Sequence, residues 1–158
     1  DLYHYYTWSL YLDCKNSLPE GKAPGLDDTP NETIKWMSLT FHKAVHQLFR
    51  IMLKLKKMMA AWKRTLAILI HKKSDPNVIS NHRPIELVPT IYKLRTTVLA
   101  RLITDYAETR HILSPQQEGF RRQKGTLNHL HRLQVAIEDA SATKSNLHVM
   151  YLDLVNAF

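Results

Sequence analysis

Apolar residues recur at three- and four-residue intervals along much of the chain, a spacing that predicts amphipathic helices. The expected helices cover residues 7–18, 31–37, 39–61, 90–109 and 126–142, and Thr126 is expected to cap the last of them. The positions expected to be buried are Phe41, Val45, Leu48, Phe49, Met52, Leu55, Ile91, Leu94, Val98, Leu102, Ile103, Tyr106, Leu127, Leu130, Gln134 and Ile137.

Three apolar runs predict strands. Residues 65–71 and Ile85 to Val88 are short, rich in β-branched side chains and joined by a basic loop, so a hairpin is expected. Residues 147–152 are apolar on both faces, which is typical of a strand buried on both sides. Together with the helices, these runs predict an α+β fold in which helices pack on an incomplete mixed or antiparallel sheet.

A single carboxylate, Asp153, follows the last of these runs. Burial of a carboxylate is unfavourable unless a cation or hydrogen-bond donors accompany it. Strand ends are where α/β-type domains present catalytic acids, so Asp153 is a candidate metal ligand. A helix cap or a turn residue is the alternative interpretation.

The charge of the chain is basic and unevenly distributed. Among 158 residues, 22 Lys and Arg face 14 Asp and Glu, which gives a formal net charge of +8. Ten of the basic residues lie between Lys35 and Lys73, and no acidic residue falls between Glu32 and Asp75. Such a cluster favours contact with a phosphate backbone. A solvated helix face or a membrane-surface helix would have the same composition.

Several classes of protein are disfavoured. A single cysteine, Cys14, excludes an internal disulfide framework. No apolar run approaches the ~20 residues that span a bilayer, and no secretory signal is recognisable. We therefore expect an intracellular protein of the cytoplasm or nucleus, or both, with no membrane partner. The one-turn spacing of His42 and His46 suits zinc, but a third ligand and a catalytic Glu between them are missing, so core or surface histidines are expected instead of a site.

The predicted hairpin concentrates cations at its tip. Lys72 and Lys73 follow its first strand, and Arg83 and Pro84 lead into the second. Proline biases the preceding residue to an extended conformation, so the three cations are expected to face one anion. A guanidinium suits phosphate oxygens, whereas an ammonium acts as a point charge. An ordinary exposed basic turn is the alternative.

Five sequence blocks, in this order, resemble the reverse transcriptase domain of non-LTR retrotransposons: GKAPGLDDTPNE, WKRTLAILIHKK, NHRPIELVPTIYKL, ILSPQQEGFRRQKGT and HVMYLDLVNAF. The resemblance covers residues 20–158 and leaves 1–19 as an upstream helical segment. It implies a right-hand polymerase fold, of which this chain would be the fingers and the first palm strand. The start at Asp1 and the end in an apolar run suggest an N-terminal part of that domain, truncated at both ends.

The resemblance also implies roles for individual residues. Asp153 matches the first catalytic aspartate, and the carbonyl of Leu154 a further metal contact. Arg83 and Lys72 match the fingers residues that hold the triphosphate, beside Lys73. Phe158 matches the aromatic residue that closes on the sugar and disfavours a ribose 2′-hydroxyl. The expected nucleic-acid contacts are Lys22, Lys63, Arg64, Gly119, Phe120 and Arg121.

The function implied is transfer of deoxynucleotides to a DNA primer on an RNA template, with two Mg²⁺ ions holding the reacting oxygens. The partners would be the RNA template, the DNA primer and deoxynucleoside triphosphates. Because the paired aspartates that complete the metal site are missing, the chain alone is expected to be inactive. A non-catalytic basic nucleic-acid-binding module is one alternative, and a helical protein-interaction domain is another.

The chain departs from the family pattern at several positions. Where the family reads Pro-Asp-Gly, this chain has Leu26, Asp27 and Asp28, and loss of the glycine is expected to strain the turn. The other departures, several of which place charge or bulk at positions expected to be tight, are Met59, His71, His82, Glu86, Glu118 and Arg122. They suggest a drifting, degenerate copy.

Overall fold

The computed structural model describes residues 2–153 and contains two compact units, Asp1–Thr109 and Arg110–Phe158. The elements of the first unit are α1 (Trp8–Asn16), α2 (Asn31–Trp36), α3 (Leu39–Leu55), β1 (Leu66–His71), β2 (His82–Leu87) and α4 (Thr90–Thr109). Short 3-10 helices cover Leu2–Tyr5, Ala60–Lys63 and Ile79–Asn81. The second unit contains α5 (Thr126–Ala142). The fold is therefore a mixture of helices with a small antiparallel sheet, as the α+β prediction requires.

The core of the first unit forms where α1, α3 and α4 meet. Tyr11, Phe49 and Leu94 have at most 1% of their surface exposed. Val98 and Leu102 continue the buried face of α4, as its periodicity predicts. The other members of this core are Tyr6, Cys14, Leu18, Ile34, Val45, Met52 and Trp62.

Some positions expected in this core are exposed instead. Leu55 is 58% exposed and Ile103 is 55% exposed, so the predictions for both are wrong. Tyr106 is 37% exposed, with its ring edge-on to that of Tyr5 at 6.5 Å between ring centroids. Each of these residues lies on the apolar face of its helix. Other residues cover only part of that face, so its margin stays exposed.

The two histidines of α3 are packing residues, as expected. His42 is 4% exposed, and its Nδ1 lies 2.8 Å from the hydroxyl oxygen of Tyr11. The imidazole of His46 packs against the rings of Tyr6 and Trp8, with centroids 4.7 and 5.2 Å away. Both rings are thus part of an aromatic cluster around α1.

Helix α3 ends at Leu55, earlier than the predicted residue 61. Lys56 adopts the left-handed conformation with φ 52°. The amide of Lys56 donates to the carbonyl of Leu53, and the amide of Lys57 donates to that of Met52. This is the hydrogen-bond pattern of a Schellman stop, and residues 56–59 leave the helix. The apolar spacing did not reveal it because no glycine marks the stop.

The predicted hairpin is present. β1 pairs antiparallel with β2 in a register that places Leu66 opposite Leu87 and His71 opposite His82. All six residues of β1 and four of the six residues of β2 are exposed, so the helices expected to pack on this sheet do not cover it within the described residues. β2 begins at His82, earlier than the predicted Ile85, because Arg83 and Pro84 also pair with β1.

The second unit differs most from prediction. Helix α5 has the predicted bounds, but Gly125 and not Thr126 is its N-cap residue. The predicted inward positions are wrong: Leu127 is 78% exposed, Leu130 60% and Ile137 51%, and Gln134 is exposed as well. Helical periodicity identifies a face that could be buried, whereas burial itself requires a second element to cover that face.

The strand predicted at residues 147–152 is also absent. Residues 145–153 form neither helix nor strand, and Met150, Tyr151 and Leu152 are 81%, 81% and 88% exposed. A strand requires a neighbour for its backbone donors and acceptors. Within the described residues, no neighbouring strand pairs with residues 147–152.

Candidate functional site

The tip of the β1–β2 hairpin brings two predicted triphosphate-binding residues together. Arg83 lies opposite Ile70, and the amide of Lys72 donates to the carbonyl of Asn81 at 2.8 Å. Because side chains alternate between faces of a sheet, Lys72 and Arg83 lie diagonally on the same face. Both are exposed, as is Lys73 one residue further on. The arrangement can present a guanidinium and an ammonium to one anion.

The turn that carries these cations is held by its own hydrogen bonds. Asp75 Oδ1 accepts the backbone amide of Asn77 at 2.9 Å, and the Asn81 side-chain amide donates to the carbonyl of Asp75 at 2.9 Å. Ser74 has φ 68°. His71 and His82 face each other across the strands at 5.3 Å between ring centroids. These two departures from the family pattern therefore contact each other.

The glycine-containing loop of residues 21–29 packs onto the junction between β2 and α4. A Cβ placed on Gly25 would lie 2.4 Å from the carbonyl carbon of Val88, which no real side chain can tolerate. The Lys93 ammonium donates to the carbonyl of Ala23 at 2.8 Å. Lys22, the predicted nucleic-acid contact, is exposed on this loop.

Asp27 has a structural role that the sequence did not reveal. Its Oδ2 accepts the backbone amide of Thr90, the first residue of α4, at 3.3 Å. The Thr90 hydroxyl donates to the carbonyl of Thr29 at 2.5 Å. Helix N-termini leave amides without partners, so this pair of contacts stabilises the start of α4. The partners are 63 residues apart, and no local sequence signal connects them.

Asp28 confirms the expected strain in this turn. Its φ is 49°, the left-handed region that glycine occupies most readily. Aspartate tolerates this region better than most residues because its short side chain can form local hydrogen bonds. Asp28 thus occupies a conformation in which the glycine of the family pattern would be favoured.

A cleft of about 510 Å³ lies beside this loop. Leu26, Trp62 and Pro89 form apolar walls, and Asp27 and Arg64 contribute charge. Lys63, the neighbouring candidate, is exposed.

The basic candidates of the first unit therefore form two groups. The tip group is Lys72, Lys73 and Arg83, and the base group is Lys22, Lys63 and Arg64. Strands rise ~3.3 Å per residue, so Arg64 and Lys72 are separated by roughly 25 Å along the hairpin. One small anion cannot contact both groups, whereas a nucleic-acid strand is long enough to do so.

The second unit carries the cationic loop, Gly119–Gly125. Phe120 is 98% exposed and has φ 60°. The Arg121 guanidinium donates through Nη1 to the carbonyls of Ser114 at 2.8 Å and Gln117 at 3.3 Å. Gly119 has nothing within 4 Å of a Cβ position, so its small size is not required by packing. Arg121 thus stabilises the loop, and the Phe120 side chain is almost fully exposed.

Glu118, one of the departures from the family pattern, is buried directly before this loop. Only 1% of its side chain is exposed. The Asn128 side-chain amide donates to Oε2 at 2.9 Å, and Arg132 Nη2 lies 2.9 Å from Oε1. The hydrogen bond from Asn128 is the main cause that lowers the pKa of the Glu118 carboxyl, and Lys124 and Arg132 lower it further. The sequence indicated a misplaced charge here, but the structure places two cationic side chains, Lys124 and Arg132, within 4 Å of the Glu118 carboxylate.

The predicted metal site is represented by a single residue. Asp153 is exposed at the end of the described chain, and Leu154 and Phe158 lie outside the described residues. Within residues 2–153 no group of three or more His, Cys, Asp or Glu could hold a metal ion. One carboxylate does not supply the ligands that two divalent ions need. The described residues therefore do not constitute a magnesium site, and metal binding by Asp153 stays a prediction.

No helix within residues 2–153 combines the length and apolar character needed to cross a bilayer.

Comparison with known proteins decides the family. No protein-family model matches the chain. It is 33% identical over 144 residues to the RNA-directed DNA polymerase from mobile element jockey of Drosophila melanogaster, which covers 89% of this chain. This similarity over most of the chain supports a reverse transcriptase domain of the kind found in non-LTR transposons. Other relatives in that fly are the probable RNA-directed DNA polymerases from transposon BS, 29% identical over 93% of the chain, and from transposon X-element, 30% identical over 87%.

This reverse transcriptase relative is short beside the proteins it matches. The matching region spans 16% of the jockey and BS polymerases and 15% of the X-element polymerase. The resemblance found in the five sequence blocks is thus confirmed at the level of the family. The roles of the individual residues remain predictions.

Proposed function

We propose that this chain contributes the fingers and the beginning of the palm to an RNA-directed DNA polymerase. The observation that carries the proposal is the placement of Lys72 and Arg83 on one face of the hairpin tip, in a chain of the reverse transcriptase family. In this role the hairpin holds the triphosphate of an incoming deoxynucleotide. The RNA template and the DNA primer are the nucleic-acid partners.

The chemistry of the tip suits a triphosphate. The Arg83 guanidinium can donate two parallel hydrogen bonds to phosphate oxygens, and Lys72 adds a compact positive charge. A hydrogen bond to a charged group contributes about 1.5–3 kcal/mol. The hydrogen bonds within the turn fix the backbone next to both side chains, which reduces the backbone entropy lost on binding.

Nucleic-acid contact involves surfaces in both units. In the first unit, Lys63 and Arg64 lie shortly before β1, and Lys22 is exposed on the loop of residues 21–29, so backbone phosphates can neutralise their charge. In the second unit, Phe120 offers a ring for base stacking among the cations of the loop. The net charge of +8 adds long-range attraction for both.

We further propose that this chain does not polymerise by itself. Asp153 is the one candidate catalytic carboxylate, and its role is to bind Mg²⁺ together with ligands supplied elsewhere in the polymerase. Residues 147–152 have the composition of a strand, and we expect them to pair when a neighbouring palm strand is available. In the same assembled site, Leu154 adds a carbonyl ligand and Phe158 excludes ribonucleotides.

Triphosphate binding by the 158-residue chain tests the proposal. Calorimetric titration with a deoxynucleoside triphosphate should give an affinity that Arg83→Ala and Lys72→Ala each weaken about tenfold. Lys43→Ala, which removes an exposed positive charge on α3, is the matched control and should have little effect.

A parallel titration with RNA separates the alternatives. Equal nucleotide affinities for Arg83→Ala and the parent, with RNA binding that remains strongly salt-dependent, would indicate the non-catalytic binding module instead. If Arg83→Ala and Lys72→Ala bind both the nucleotide and RNA as tightly as the parent, both nucleic-acid functions are rejected. A protein-interaction domain is then favoured.

A further inference from the structure

The buried carboxylate of Glu118 links the cationic loop to helix α5. Its oxygens are approached by Asn128 and Arg132, both at 2.9 Å, and by the Lys124 ammonium at 3.7 Å. Asn128 and Arg132 are four residues apart, so they lie one above the other on the same helix face. Lys124 belongs to the loop itself. One carboxylate thus contacts the loop and two successive turns of the helix.

These contacts place the loop between two anchors. At its start, Glu118 is fixed to α5, and Arg121 closes the chain onto the carbonyls of Ser114 and Gln117. At its end, Gly125 begins α5, and the amide of Asn128 donates to its carbonyl at 3.2 Å. Phe120 lies between the anchors with its ring almost fully exposed.

The backbone at Phe120 would not hold this position unaided. Phe120 and Gln123 have φ values of 60° and 56°, in the region that side chains of L-residues avoid. Such conformations persist when surrounding contacts impose them. The contacts of Glu118 join the start of this loop to α5.

We propose that Glu118 is a positioning residue for nucleic-acid binding: its carboxylate, held by Asn128, Arg132 and Lys124, fixes the cationic loop so that Phe120 is presented to the bases of a single strand. The role rests on the proposed function, since the ligand is the single-stranded template. Glu118 itself touches no nucleic acid. It acts through the position of the loop.

This role has a consequence opposite to that of simple electrostatics. Removing an acidic charge from a basic protein normally strengthens its attraction for nucleic acid. If Glu118 positions the loop, Glu118→Gln should weaken binding although the net charge rises. Glu138→Gln provides the matched control, because it makes the same chemical change at an exposed position on the same helix.

The test is titration of the 158-residue chain with a fluorescent oligouridylate. Loss of one base–aromatic contact corresponds to an affinity about tenfold lower, so we expect that effect in Glu118→Gln and in Phe120→Ala. Glu138→Gln should bind as tightly as the parent, or more tightly. Circular dichroism establishes that each variant retains its helix content.

Hydrogen exchange of the free chain supplies a second readout. The amides of residues 119–125 should exchange faster in Glu118→Gln than in Glu138→Gln, while those of α3 and α4 remain unchanged. Faster exchange with unchanged affinity would show that Glu118 orders the loop without affecting binding, and would overturn the proposal.

The outcomes also separate this role from the proposed function. Equal affinities for Glu118→Gln and Glu138→Gln, with a parent that binds RNA, would reject the positioning role alone. A parent chain that binds no oligonucleotide would reject RNA binding, and the positioning role with it.

Discussion

At the scale of single residues, the loop of residues 21–29 shows how one backbone contact can determine a residue type. Gly25 meets the carbonyl group of Val88 with no room for a side chain. The same loop supplies Asp27 to the first amide of α4. Both contacts connect distant parts of the chain, so substitutions here should affect stability more than their exposed surroundings suggest.

We expect Gly25→Ala to destabilise the first unit by about 1–3 kcal/mol, because the added methyl forces the loop away from the β2–α4 junction. Gly119→Ala is the control, since a Cβ there has nothing within 4 Å. Urea unfolding followed by tryptophan fluorescence measures the difference. Equal stability of Gly25→Ala and the parent would show that the loop moves freely on the junction.

The buried imidazole of His42 and the half-buried imidazole of His46 should make the first unit sensitive to acid. Burial is the main cause that lowers the pKa of His42 and His46, and Lys15 and Arg50 respectively lower them further. A depressed pKa means that the folded state favours the neutral imidazole. The stability is therefore fully present above the unfolded pKa of about 6.5 and decreases as the pH falls below it.

Thermal unfolding between pH 8 and pH 5 tests this dependence. We expect the midpoint to fall with pH, and to fall less steeply in His46→Phe, which replaces a titrating ring by an apolar one among Tyr6, Trp8 and Tyr11. The control His131→Gln changes an exposed histidine of α5 and should not alter how steeply the unfolding midpoint falls with pH. An unchanged slope in His46→Phe would assign the acid sensitivity to other groups.

At the scale of elements, the ends of helices depend on single backbone conformations. α3 stops at Leu55 because Lys56 adopts φ 52° and its neighbours form the Schellman hydrogen bonds. Lysine is not favoured in this conformation, and glycine is. The stop is therefore imposed by the packing of the following residues, among which Trp62 is buried.

We expect Lys56→Gly to stabilise the first unit by about 0.5–1 kcal/mol, because glycine adopts the left-handed conformation without steric conflict. Lys57→Gly removes the same charge at the next position, which does not have a positive φ, and should be neutral or destabilising. Urea unfolding compares the two variants: a change in the midpoint concentration, with an unchanged dependence of the unfolding free energy on urea, reports a change in stability. A Lys56→Gly variant that is less stable than Lys57→Gly would contradict this reading of the helix end.

At the scale of the whole molecule, buried apolar side chains are concentrated in the first unit. Every residue of the main core cluster lies between Tyr6 and Leu102. Helix α5, in contrast, contains no buried residue. Isolated helices of this length are marginally stable in water, so the two units should differ in their ability to fold alone.

We expect a fragment of residues 1–109 to unfold cooperatively, with a midpoint within a few degrees of that of the full chain. A fragment of residues 110–158 should be partly helical but show no cooperative transition. Circular dichroism during heating distinguishes the two behaviours. A fragment 1–109 that fails to fold would mean that its core depends on residues 110–158.

The sequence by itself determined the helices, the hairpin, the basic tip and the family, since each depends on local spacing or on an ordered set of motifs. Only the tertiary structure decided which apolar faces are covered. Residues 147–152 and the face of α5 have the expected patterns, but a strand needs a hydrogen-bonding neighbour and a helix face needs a packing partner. The contacts of Asp27 and Glu118 were likewise invisible in sequence, because their meaning depends on what the folded chain places beside each carboxylate.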